Sequence, residues 1–189
     1  MAGAGEVERW SGLRAWLYSL IQGNAARNRF LVEYAGVGPG DRVLDIGCGP
    51  GASLQEAVKA KADYVAGVDP SPSMVRRAAN RVPEAEVREG SAESVPFEDN
   101  EFTAVWAISA YHHWADTDAG ITEMLRVLKP GGAFYIVERE LKPGSSGHGA
   151  SYDDAIGIAA EITEKFDVPA KVDTLGAGRA RYLVVTGSK

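Results

Sequence analysis

Short apolar runs alternate with amphipathic segments along most of the chain. The runs are rich in β-branched and aromatic residues, which is typical of buried strands. Seven strands are predicted, at 42–46, 63–69, 85–89, 102–108, 133–137, 168–175 and 181–186. Segments with apolar residues three and four positions apart predict the intervening helices, at 52–61, 71–82, 121–128 and 152–165.

This alternation predicts an α/β fold. Strands that alternate with helices form a parallel sheet with helices on both faces. The last two runs are joined by the glycine-containing connection 176–178, which favours an antiparallel pair. We therefore expect a Rossmann-like, doubly wound, mostly parallel seven-stranded sheet whose last strand is antiparallel, with additional N-terminal helices.

The first part of the chain has a helical pattern of its own. Its apolar spacing predicts one or two amphipathic helices within 6–36. We divide the chain into an N-terminal helical segment, 1–36, and a main domain, 37–189. The helices either pack against the edge of the domain or form a lid, in which case Trp16 and Tyr18 would face a substrate.

Charge and cysteine content narrow the classes of function. The net charge of the 189-residue chain is −6 and no run of Lys or Arg stands out, so nucleic acid is not an expected partner. A single cysteine excludes an intrachain disulfide. We find no signal-peptide pattern and no apolar stretch of membrane-spanning length, so a cytoplasmic location is expected.

The most informative stretch is Val43–Gly51, where a short apolar run leads into three alternating glycines. Glycine allows positive φ angles and lets a ligand approach the backbone closely. The helix predicted just beyond has unpaired N–H groups at its start. The stretch therefore predicts a pocket for a polar, nucleotide-like ligand.

Two kinds of nucleotide-like ligand fit this loop. Its spacing also satisfies the dinucleotide fingerprint of NAD-dependent dehydrogenases, with Asp69 placed to bind a ribose. Against a dinucleotide, Asp45 would oppose a pyrophosphate, and no Tyr-x-x-x-Lys pair is present. A ligand with a ribose, no phosphates and an amino-acid cation fits better, and S-adenosylmethionine has these properties.

Four separated stretches, in the same order, resemble class I S-adenosylmethionine-dependent methyltransferases of the ubiquinone/menaquinone-biosynthesis and small-molecule type. The stretches are Val43–Gly51, Val68–Met74, Gly90–Phe102 and Leu125–Gly132. The resemblance covers about 36–138. It implies methyl transfer from S-adenosylmethionine, with S-adenosylhomocysteine as product, to a small-molecule acceptor that the sequence does not identify.

The resemblance also implies roles for individual residues around the methionine and ribose of the cofactor. The loop residues implied to line the methionine portion are Gly47, Cys48, Gly49 and Gly51. Asp45 is implied to lie near the ammonium group, and Asp69 to accept both ribose hydroxyls. Without the family, Asp45 could instead stabilise the loop and Asp69 could cap the following helix.

Further residues are implied at the adenine end and at the floor of the pocket. They are Pro70, Met74, Ser91, Ala92, Glu93, Ile108 and Ser109. Ser91 stands where relatives usually carry an Asp that receives the adenine amino group. A serine hydroxyl accepts that bond without charge assistance, so we expect weaker adenine recognition.

The acceptor side is predicted just beyond the fourth strand, in 109–114. His112 and His113 are the candidates for a general base, needed only if the acceptor loses a proton. Tyr111 and Trp114 either wall the acceptor or simply pack. The three histidines, which include His148, lack the chain spacing of a zinc site, so no metal is predicted.

A non-catalytic S-adenosylmethionine-binding regulatory module is the alternative function. The short segment 139–150 motivates it, since many relatives insert a substrate-covering segment there and this chain has little room for one. An NAD-dependent dehydrogenase is a further, less favoured alternative. An enzyme of this size would rely on 6–36 to cover its substrate.

Overall fold

The computed structural model describes residues 25–142, 148–177 and 180–189. Within these ranges the chain forms seven strands and five α-helices. The strands are β1 Arg42–Ile46, β2 Tyr64–Asp69, β3 Glu86–Glu89, β4 Phe102–Ile108, β5 Leu128–Arg139, β6 Ala170–Ala177 and β7 Ala180–Ser188. The helices are α1 Ala25–Tyr34, α2 Ala52–Lys59, α3 Pro72–Arg81, α4 Thr117–Val127 and α5 Tyr152–Phe166.

The seven strands form one sheet in the order β3-β2-β1-β4-β5-β7-β6. Strands β1 to β5 pair in parallel, whereas β7 is antiparallel to both of its neighbours. The predicted fold is confirmed. Because β1 lies between β2 and β4, the strand order reverses beside β1, and ligands of such sheets bind at this point, beyond the carboxyl ends of the strands.

Strand β5 differs from its prediction. We predicted a turn at 129–132 and a strand only at 133–137, but the strand runs from Leu128 to Arg139. Phe102 pairs with Leu128 and Ala104 with Ala133, so the Pro-Gly-Gly segment is an irregularity inside the strand, with extra residues opposite β4. Glycine permits this bulge because Gly131 has a φ of 80°.

Each face of the sheet has its own apolar cluster. Val43 belongs to one cluster and the next residue, Leu44, to the other, because successive side chains of a strand point to opposite faces. The fully buried Trp106 and Phe102 are also divided between the two faces. Both faces are therefore covered, and polar groups that could meet a ligand are concentrated at the strand ends.

Helix α1 packs into one of these clusters, through Leu31 and Val32. The division at residue 36 stays a prediction, but this part of the N-terminal segment shares a core with β1. Trp16, Tyr18 and the rest of the predicted lid lie outside the described residues. Among the residues that the structure does describe, no helix combines the length and apolar character needed to cross a membrane.

Candidate functional site

The loop after β1 has a conformation that requires glycine. Gly47, Gly49 and Gly51 have φ angles of 79°, 52° and 77°. A Cβ on Gly47 would lie 2.6 Å from the Cβ of Ala110, so a side chain is excluded there. The N–H groups of Gly47 and Cys48 donate to the Val68 carbonyl at 2.8 and 3.0 Å, which fixes the loop against β2.

Asp45 lies beneath this loop and is only 2% exposed. Its Oδ2 accepts a hydrogen bond from the Ser53 hydroxyl, and its Oδ1 has no partner among the described residues. Burial raises the pKa of Asp45 to about 7, although Ser53, the Trp106 indole and the positive charge of Arg27 act in the opposite direction. The indole N–H is close enough to act on the carboxylate but makes no hydrogen bond of normal geometry.

Arg27 and Asn28 of α1 line the same pocket, and sequence reasoning missed both. The Arg27 guanidinium donates to the Ser109 hydroxyl at 3.2 Å and to the Asn28 side-chain oxygen at 3.1 Å. The sequence did contain a signal for these two residues. Arg27 and Asn28 precede the apolar Leu31 and Val32 by four positions each, so all four side chains lie on one face of the helix. The pocket therefore holds a buried carboxylate and a buried cation.

The floor of the pocket follows β4, as predicted. Ile108 and Ser109 line it, and both are more than nine-tenths buried. Ser109 has a φ of 52°, a conformation unfavourable for a residue with a side chain, and its N–H donates to the Val137 carbonyl at 2.7 Å. Such strain is typical of functional sites, where surrounding contacts hold the residue in place.

Asp69 at the end of β2 is tied to the glycine loop. Its Oδ2 accepts from the Gly49 N–H and its Oδ1 from the Ser71 N–H, both at 2.9 Å. Burial raises the pKa of Asp69, and the two backbone hydrogen bonds lower it. Each oxygen keeps a second lone pair, so the carboxylate can hold the loop and the start of α3 and still accept from a diol.

Six of the thirteen residues predicted to bind the cofactor line one pocket. They are Asp45, Gly47, Cys48, Gly49, Ile108 and Ser109, joined there by Arg27, Asn28, Pro50, Ala52 and Ser53. Burial raises the pKa of the Cys48 thiol, which agrees with the predicted role of a small buried residue.

The residues predicted at the adenine end lie outside this pocket. Met74 and Ala92 are buried, whereas Pro70 is exposed. Glu93 accepts hydrogen bonds from the Ala115 and Asp116 N–H groups at 2.8 and 3.3 Å. Its side chain therefore holds the start of α4, a contact that sequence reasoning did not indicate.

The residues predicted on the acceptor side lie on and after a short 3₁₀ helix, Tyr111–His113. The Tyr111 and Trp114 rings lie 5.0 Å apart and pack against the apolar cluster beneath them. The Trp114 ring also covers Gly120 of α4, where a Cβ would come within 2.4 Å of it. Both aromatic rings therefore pack against neighbouring residues, and their predicted role toward an acceptor stays a prediction.

The three histidines meet at this side of the protein. Nitrogen atoms of His112, His113 and His148 all lie within 4.8 Å of one another. The other ring nitrogen of His112, Nδ1, lies 3.0 Å from the buried Glu138 carboxylate. The prediction of no metal relied on spacing along the chain, which did not indicate this arrangement.

Comparison with known proteins indicates the class of protein to which the chain is similar. A family model described as "Methyltransferase domain" matches residues 44–136. An "Uncharacterized methyltransferase YdaC" of Bacillus subtilis is 34% identical over 118 residues, covering 61% of this chain and 65% of that protein. A demethylmenaquinone methyltransferase of Renibacterium salmoninarum is 36% identical over 110 residues, 58% of this chain and 46% of that protein.

A third relative is the 27-O-demethylrifamycin SV methyltransferase of Amycolatopsis mediterranei, 34% identical over 131 residues, 65% of this chain and 48% of that protein. The chain thus spans less than two thirds of the length of each of these relatives. The family match begins in β1 and ends in β5, so it includes the glycine loop and the pocket residues at the end of β4.

Solved structures show the same fold. A SAM-dependent methyltransferase from Aquifex aeolicus superposes with a TM-score of 0.78 at 18% identity, over 95% of this chain and all of that one. A Haemonchus contortus phosphoethanolamine-type N-methyltransferase in complex with S-adenosylhomocysteine also gives 0.78 at 18% identity, over 100% of this chain and 60% of that one. The family match and these relatives support a class I S-adenosylmethionine-dependent methyltransferase, and the solved structures show the same fold.

The described residues fit the cofactor of this family. An amino-acid zwitterion needs an anionic and a cationic partner, and Asp45 and Arg27 line one pocket. The Oδ1 atom of Asp45 is a buried acceptor with no donor among the described residues, and an ammonium group would supply one. The glycine loop leaves room for close approach of a ligand to its backbone, since a Cβ on Gly49 would meet nothing within 4 Å.

Proposed function

We propose that the protein transfers the methyl group of S-adenosylmethionine to a small-molecule acceptor. The observation that carries the proposal is that two buried side chains of opposite charge, Asp45 and Arg27, line the same pocket as the glycine loop. Burying an unpaired carboxylate oxygen is costly unless a ligand supplies a donor. An amino-acid group would satisfy both side chains at once.

In this proposal Asp45 receives the ammonium group and Arg27 the carboxylate of the methionine portion. Arg27 is held by Ser109 and Asn28, so its guanidinium is oriented in the absence of ligand. Asp69 binds the ribose. The same carboxylate accepts a hydrogen bond from the Gly49 N–H, which fixes the glycine loop relative to the ribose. S-adenosylmethionine supplies an activated methyl group, and the protein contributes alignment and exclusion of water.

The acceptor class is proposed from the relatives. Demethylmenaquinone and 27-O-demethylrifamycin SV, named in two of them, are both small molecules. The net charge of −6 also disfavours a polyanionic acceptor such as a nucleic acid. His112 and His113, at the carboxyl end of β4, are the proposed proton acceptors for an acceptor that loses a proton.

Binding is tested first, by calorimetry with S-adenosylhomocysteine and, separately, with NAD. We expect saturable binding of S-adenosylhomocysteine and none of NAD. The reverse result would overturn the proposal in favour of the dehydrogenase alternative.

Turnover is tested next, with S-adenosylmethionine and a panel of quinols, phenols, amines and carboxylic acids. Release of S-adenosylhomocysteine that depends on one acceptor class supports an enzyme and identifies that class. Tight cofactor binding with no release for any class would instead favour the non-catalytic module.

A further inference from the structure

The histidine cluster is a feature that the cofactor pocket does not use. The chain has three histidines in all, and the structure brings His112, His113 and His148 together. His112 and His113 are neighbours on the 3₁₀ helix, with ring centroids 4.0 Å apart. His148 lies 36 positions away from His112 in the chain, with its ring centroid 5.3 Å from that of His112.

Backbone pairing places His148 in the cluster. Two residues later, the Ala150 N–H donates to the Arg139 carbonyl at 3.0 Å, and the Leu141 N–H donates to the Ala150 carbonyl at 2.9 Å. These bonds hold the returning chain beside the end of β5. Main-chain hydrogen bonds two residues away therefore keep the backbone of His148 near the end of β5 without any contribution from its imidazole.

The nitrogen positions suit a metal ion. The Nε2 atom of His112 lies 3.2 Å from the Nδ1 atom of His148. Two imidazole nitrogens bound to one tetrahedral Zn²⁺ at about 2.0–2.1 Å would lie about 3.3 Å apart. The separations within the cluster reach at most 4.8 Å, so an inward movement of about 1.5 Å by an exposed ring completes the geometry.

Glu138 orients the central ring. Its carboxylate is 5% exposed, and its Oε1 lies 3.0 Å from Nδ1 of His112. Histidines that bind metals commonly donate one ring N–H to a carboxylate, which leaves the other nitrogen as the ligand atom. The contact with Glu138 turns the Nε2 atom of His112 toward the other two rings. His112 as a whole residue is nevertheless exposed.

We propose that His112, His113 and His148 bind a divalent transition metal such as Zn²⁺. Three histidines, with no fourth ligand among the residues that the structure describes, leave a coordination position open to water or to an oxygen of a small molecule. The site lies outside the cofactor pocket. It excludes a simultaneous role of His112 as proton acceptor, because both ring nitrogens are then engaged.

The test is a titration of the untagged chain with Co²⁺, followed by displacement with Zn²⁺. We expect one equivalent of Co²⁺ to bind, with visible absorption typical of low coordination number, and Zn²⁺ to abolish the absorption. The variants His148→Ala and His113→Ala should each bind at least about 10-fold more weakly. Glu138→Gln should weaken binding about 10-fold while leaving all three ligands in place.

The matched control is Tyr152→Ala, which removes an exposed ring four positions after His148 and should bind like the parent chain. Circular dichroism of each variant establishes folding, and the exposed positions of His113 and His148 favour it. Absence of stoichiometric binding by the parent chain would overturn the proposal. Equal affinity of the parent and His148→Ala would do the same, since binding would then occur elsewhere.

Discussion

The pocket under the glycine loop and the histidine cluster both lie beyond the carboxyl ends of the strands, but they are built differently. In the pocket, Asp45 and Arg27 are at least nine-tenths buried, as is Asp69, which holds the glycine loop through Gly49. In the cluster, the three imidazole residues are exposed, and only their partner Glu138 is buried.

The two regions also differ in how their polar groups are held. Asp69 is fixed by backbone N–H groups of nearby loops, at Gly49 and Ser71. His112 is fixed by side chains from β5 and from the segment after it. Buried groups with backbone partners suit one invariant ligand, whereas exposed side chains from separate segments can change with little effect on the fold. Relatives that share a methyl donor but differ in methyl acceptor would need one region of each kind.

The sharpest test of the buried region is Asp69→Ala. It removes the anchor of Gly49 and the charge-assisted acceptor that we propose for two ribose hydroxyls, so affinity for S-adenosylhomocysteine should fall about 100-fold or more. Calorimetry measures the change. The control is Glu89→Ala, an exposed carboxylate that pairs with Asp69 in the register of β2 and β3. Equal losses for both variants would contradict a specific role for Asp69.

Arg27→Ala tests the part of the pocket supplied by α1. The variant should bind S-adenosylhomocysteine about 10-fold more weakly because one charge-assisted hydrogen-bond partner is lost. It should bind methylthioadenosine, which has no carboxylate, as tightly as the parent chain does.

Arg29→Ala is the matched control for Arg27→Ala, since Arg29 lies on the same helix, is exposed and pairs with Glu33 at 3.0 Å. An equal loss of affinity for both ligands would show that Arg27 acts through folding and not through the carboxylate.

In the region predicted to face the methyl acceptor, Gly120→Ala tests whether Trp114 is a packing residue. The new Cβ would come within 2.4 Å of the indole, and such overpacking should lower the free energy of unfolding by about 1–3 kcal/mol. Gly157→Ala in α5 is the control, because a Cβ there meets nothing within 4 Å and should stabilise the helix by up to about 1 kcal/mol. Thermal unfolding compares the two, and destabilisation by both would contradict the assignment.

The smallest expected effect is the pH dependence that Asp45 causes. Because its pKa is raised to about 7, the ionised form that binds an ammonium group becomes more populated as the pH rises through neutrality. Affinity for S-adenosylhomocysteine should therefore increase several-fold between about pH 6 and 7.5, below the range where an amino group loses its own proton. Asp45→Asn should flatten this profile.

The same titration has a consequence for stability with a defined sign. In the unfolded chain Asp45 ionises near its ordinary value of 3.8, whereas in the folded chain it keeps its proton up to about 7. The folded state then binds more protons between these values, so this residue makes stability decrease as the pH rises across that window. Denaturant titrations of the parent and Asp45→Asn chains should diverge accordingly, and parallel curves would contradict the raised pKa.

Much of the fold and part of the pocket could be predicted from the residues in order. The strand periodicity and the glycine loop are local features, so their positions and the class of ligand follow from short stretches such as Val43–Gly51. The prediction for β5 was wrong in extent because the Pro-Gly-Gly segment indicates a turn by itself, and only pairing with β4 makes it a bulge within a strand.

The tertiary structure decided the contacts between segments that are distant in the chain. Arg27 reaches Ser109 across 82 positions, and His112 meets His148 across 36. Neither pair has a local signature, because their proximity depends on the order of the strands and on where α1 and the segment after β5 pack. The sequence by itself determined the sheet and the loop that we propose receives the methyl donor. Packing alone decided which side chains complete that pocket and which histidines meet beside it.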